Sequence, residues 1–69
     1  MVLLDALQLI HNEPNEELAL MIYQKDCLLV TTQMKDLTFA QVRDYFYHEV
    51  EETVFNTEKK VIRITIDWN

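Results

Sequence analysis

Not one glycine occurs among the 69 residues. Such a chain must make every turn, helix stop and left-handed backbone position from residues that carry a Cβ. That costs steric energy which Asn and Asp escape best. The turns are therefore expected at Asn12, Asn15, Asp26 and Asn56, with the single proline, Pro14, beside the first two. The same absence removes the Walker A loop, the dinucleotide fingerprint and the GXXG clamp, all of which bring backbone close to phosphate through glycine. No glycine-dependent phosphate cradle is left, and no cofactor is expected.

The segments between these turns have readable periods. Residues 2–12 read as a helix: Val2, Leu3, Ala6, Leu7, Leu9 and Ile10 fall within an arc of about 160°, with Asp5, Gln8 and His11 opposite. Residues 17–23 and 27–33 read as two strands joined by Gln24-Lys25-Asp26, where Asp26 is the better candidate for positive φ. The first strand is apolar on both faces, as a central strand would be. A helix over 16–23 is the rival reading, since Leu, Ala and Met favour helix.

Residues 38–54 read as a second helix. Thr38 and Gln41 match a capping box, Leu37 and Val42 a hydrophobic staple. Phe39, Val42, Phe46, Val50 and Val54 share an arc of about 120°. Residues 60–68 read as a strand, in which Ile62, Ile64, Ile66 and Trp68 alternate with Arg63, Thr65 and Asp67 on the opposite face. The order α-β-β-α-β implies a small two-layer α+β sandwich forming one domain over residues 1–69. Its expected sheet is three-stranded and antiparallel, in order 2-1-3, with both helices on one face.

Charge is uneven along the chain, whose net charge is −6. Residues 1–24 carry −4, residues 38–58 carry −4, and residues 59–69 carry +2. An acidic helical layer argues against direct binding to nucleic acid, which wants a basic face. Lys59, Lys60 and Arg63 lack the interleaved aromatics of a single-strand binder. The start of the chain lacks a basic n-region, and its apolar stretch is too short to span a bilayer, so a soluble cytoplasmic protein without membrane contact is expected.

Catalytic chemistry finds little support. The chain has no serine and one cysteine, Cys27, beside Asp26, whose charge works against a thiolate. His48, Glu51 and Glu52 would share a helix face, but a solvated carboxylate array is a poor structural metal site, so no metal is expected. The expectation is a non-enzymatic protein–protein interaction module. It would regulate or inhibit a larger partner with a basic surface, and its size and acidity suit a phage or mobile-element product. The alternative is a self-associating assembly subunit; a homodimer is expected in any case, because so short a chain has little core. A third reading is an acidic mimic of nucleic acid.

The candidate interface is the margin of the second helix: Arg43, Tyr47 and Glu51 at i, i+4 and i+8, flanked by Asp44, His48 and Glu52. The bland account of that margin is a core edge with its tyrosine hydroxyls in water and its carboxylates serving solubility. The wide apolar arc of the first helix is the second choice of contact surface.

Overall fold

A computed structural model describes residues 1–11 and 13–67. The helix stop expected at Asn12 and the core role expected of Trp68 fall outside those residues. The chain runs through α1 (Leu3–Ile10), β1 (Ala19–Gln24), β2 (Cys27–Gln33), α2 (Phe39–Val42), β3 (Val50–Asn56) and β4 (Val61–Ile66). Single 3₁₀ turns lie at Glu13–Asn15, Met34–Asp36 and Arg43–Tyr45. The α+β class holds. The sheet, however, has four strands in order β2-β1-β4-β3, and β1 pairs with β4 in parallel. The three-stranded antiparallel sheet is corrected on both counts, although the strand expected at the centre is central.

The source of the error is the segment 38–54. Its helical start is real: Thr38 N–H donates to Gln41 Oε1 at 2.9 Å, and Leu37 and Val42 both join the core. The helix ends at Val42 and tightens through one 3₁₀ turn. Val50, Thr53, Val54 and Phe55 then form a strand, as β-branched and aromatic residues favour. Pairing explains why strand wins there: without β3, the edge of β4 would leave a row of backbone groups without protein partners. A bulge at Glu51 shifts the register, so Val50 opposes Ile66 while Val54 opposes Arg63 on the other face. The one-faced arc through Val50 and Val54 therefore does not exist.

The inner face of the sheet is dry. Leu20 and Ile22 on β1 and Ile62, Ile64 and Ile66 on β4 are wholly buried. Burial of side chains this size stabilises by about 1.5–3 kcal/mol each. Among the described residues, those buried outside the strands are Leu3, Ala6, Leu7 and Ile10 of α1, with Met34, Val42 and Phe46. The buried arc of α1 is about 100° wide, narrower than expected, and Leu9 stays 65% exposed. The outer face carries Met21 and Tyr23 on β1 and Arg63 on β4, whose guanidinium carbon lies 5.5 Å from the Tyr23 ring centroid.

The turns obey the glycine constraint differently from expectation. The positive φ of the β1–β2 hairpin falls on Lys25, at 54°, and a second falls on Lys60, at 56°, before β4. Asp26 does not take that role. In both cases the hairpin geometry of the flanking strands sets the conformation and a lysine bears its cost.

Candidate functional site

The sheet end where β1 and β4 finish carries the most concentrated polar structure. His48 follows the 3₁₀ turn and is tied at three points. Its N–H donates to Tyr45 O at 3.2 Å, its carbonyl accepts from Leu3 N at 2.9 Å, and its Nδ1 lies 2.9 Å from Asp67 Oδ1. That contact is a hydrogen bond between the imidazole and the carboxylate, and it fixes the orientation of both side chains. Asp67 is anchored from both sides. Its N–H donates to Glu49 O at 2.8 Å, and its carbonyl accepts from Gln24 Nε2 at 2.8 Å. The two side chains are half-buried.

Beside this pair opens a cleft of about 230 Å³ lined by Asp44, Tyr47, His48 and Asp67. Tyr47 is 80% exposed, and Asp44 is exposed on the 3₁₀ turn. Two carboxylates and an accessible aromatic ring around one concavity suit a cation: an ammonium or guanidinium can meet a carboxylate and lie over the ring. Of the expected interface, Asp44 on the 3₁₀ turn and Tyr47 and His48 just after it line the cleft, whereas Arg43 stands on the turn but does not line it. They do not form the helical stripe that their spacing implied, because the helix has ended. Glu51, at the bulge, and Glu52, just after it, are exposed on β3 and do not line the cleft.

Sequence reasoning missed Asp67. Strict alternation assigned it to the wet side of a strand, which hides that β4 ends at Ile66 and that the next residue turns toward His48, nineteen positions earlier. Nothing in local spacing signals that meeting. The metal geometry considered for His48, Glu51 and Glu52 is lost with the helix. Among the described residues no group of three or more His, Cys, Asp or Glu side chains is placed to hold a metal ion. Cys27 is exposed at the start of β2, opposite Gln24, and does not line the cleft.

A second concavity, about 310 Å³, lies between α1 and the α2 region, with Leu4, Leu7, Leu37, Val42 and Phe46 among its walls. Phe39 stands at it 71% exposed, its ring edge-on to Phe46 at 5.1 Å. Leu7 brings part of the first helix's apolar arc to this groove, and Leu4, which lies outside that arc, joins it there. Among the described residues no helix is long and apolar enough to cross a membrane. Compared with protein-family models, curated proteins and solved structures, the chain matches none of them.

Proposed function

We propose that this chain is a non-enzymatic protein–protein interaction module that binds a basic segment of a larger protein and regulates or inhibits it. The observation that carries this reading is the cleft lined by Asp44, Tyr47, His48 and Asp67. A lysine or arginine of the partner enters it, pairs with Asp44 and lies against Tyr47. The His48 contact and the two backbone hydrogen bonds hold Asp67 in place before binding. Preorganisation of that kind lowers the ordering cost of association. The net charge of −6 steers a basic partner toward the acidic surface and makes association fall with salt. The module acts in the cytoplasm, where the exposed thiol of Cys27 remains reduced.

The reading is tested by NMR titration of the intact chain with a short arginine-containing peptide and with its lysine and citrulline counterparts. Shifts centred on Asp44, Tyr47, His48 and Asp67 are expected. Binding should fall with salt and be absent with the citrulline peptide. Asp44→Asn and Tyr47→Ala should each weaken binding by about tenfold. Shifts scattered over the surface, or equal binding of the uncharged peptide, contradict it.

A further inference from the structure

β3 is a seven-residue edge strand whose residues 51–56 are all exposed; among the described residues only its β4 side is paired along its length, and just before its start Val2 bridges Glu49. Natural edges are usually blunted by bulges, charge or a covering segment. Here the blunting is confined to the start. The bulge falls at Glu51, and Val50 N–H is already taken by Met1 O at 2.8 Å. Residues 52–56 remain regular, with Val54 at their centre, 39% exposed, and Phe55 beside it, 49% exposed. The other edge, β2, has its bulge at Leu29, within the strand, and carries no charged residue that would select a register.

Charge on and around β3 is polarised. Glu51 and Glu52 lie at its start, after Glu49, whose carboxylate is already paired with the Met1 ammonium at 3.0 Å; Lys59 and Lys60, with Glu58, lie in the turn after its end, and Arg63 lies opposite Val54. An antiparallel copy reverses that polarity and sets the acidic start of one strand beside the basic turn of the other. A parallel copy stacks like on like.

We infer that β3 is a self-pairing edge, at which a second copy of this chain adds antiparallel about Val54 to form a continuous eight-stranded sheet. Val54 then opposes Val54 of the second copy, Thr53 opposes its Phe55, and Glu52 opposes its Asn56. No two like charges face each other, and the branched and aromatic pairs are of the kind that stabilise sheets. A two-fold axis at Val54 makes the contact closed, so pairing stops at two copies. Both sets of helices lie on one face of the joined sheet, because directly opposed residues share a face.

The test is sedimentation equilibrium of the intact wild-type chain and of two charge-reversed variants, across the micromolar to low millimolar range. One variant is Glu51→Lys with Glu52→Lys, the other Lys59→Glu with Lys60→Glu. Wild type is expected to reach twice the monomer mass. Each variant alone opposes like charges and should lose about a hundredfold in dimer affinity. Mixed in equal amounts, the two variants are complementary at both ends and should dimerise again. Circular dichroism of each variant, matched to wild type, establishes that the fold is kept; a variant that loses it is replaced by the corresponding single substitution. A wild-type monomer throughout, dimers that survive either reversal, or a mixture that stays monomeric each overturn the inference. The cleft at His48 lies outside the exchanged residues, so peptide binding there succeeds or fails independently of this result.

Discussion

β4 and β3 are neighbours of six and seven residues, both rich in β-branched side chains, yet they face opposite situations. β4 is paired on both edges, and its three isoleucines are wholly buried. β3 is paired along one edge and exposed along nearly its whole length. In β4 the alternation of apolar and polar residues records burial, because each inward position must be dry. In β3 no face is dry enough to impose a pattern, so strand formation rests on β propensity and on the backbone partners that β4 offers. Strand identity is written into side chains where a strand is central, and into its neighbour's unmet hydrogen bonds where it is at the edge.

Substitutions can break that contrast. The largest effect belongs to the centre. Ile64→Ala leaves a cavity among side chains that cannot readily collapse, and should cost about 2–5 kcal/mol in chemical denaturation. A loss below about 1 kcal/mol would mean that the inner face is not packed as described. Next comes the hairpin on the far side of β1. Lys25 holds a φ of 54° that glycine adopts freely, so Lys25→Gly should raise stability by about 0.5 kcal/mol once the added chain entropy is offset. Destabilisation would show that the lysine side chain contributes more than its backbone costs. The smallest effect belongs to the edge. Val54→Ala, measured at concentrations low enough to exclude self-association, should change stability by less than about 0.5 kcal/mol.

The same contrast explains what could be read from the sequence. The first helix, the β1–β2 hairpin, the capping box at Thr38 and the alternation of β4 were legible, since each is recorded in local chemistry or in a burial period. The end of α2 was not. Val42, Phe46, Val50 and Val54 keep a helical spacing by coincidence, and the event that ends the helix, pairing with β4, involves residues far along the chain. Losing that boundary also hid one strand and turned a mixed sheet into an antiparallel one. The site was half legible for the same reason. Asp44, Tyr47 and His48 lie within five residues, on and just after one 3₁₀ turn, and stay together whether or not the segment is helical. Glu51 and Glu52 belonged with them only on a helix, and Asp67 meets His48 only after the sheet is assembled.

The central claim is that residues 50–56 form a half-paired edge strand where a capped helix had been expected to continue. Residue-resolved amide exchange on the dilute chain tests it most directly. The account predicts uniformly slow exchange along Val61–Ile66 and alternating protection over Glu52–Asn56, with only the amides that point toward β4 protected. Continuous protection from Phe39 through Val54, with helical chemical shifts, would contradict it.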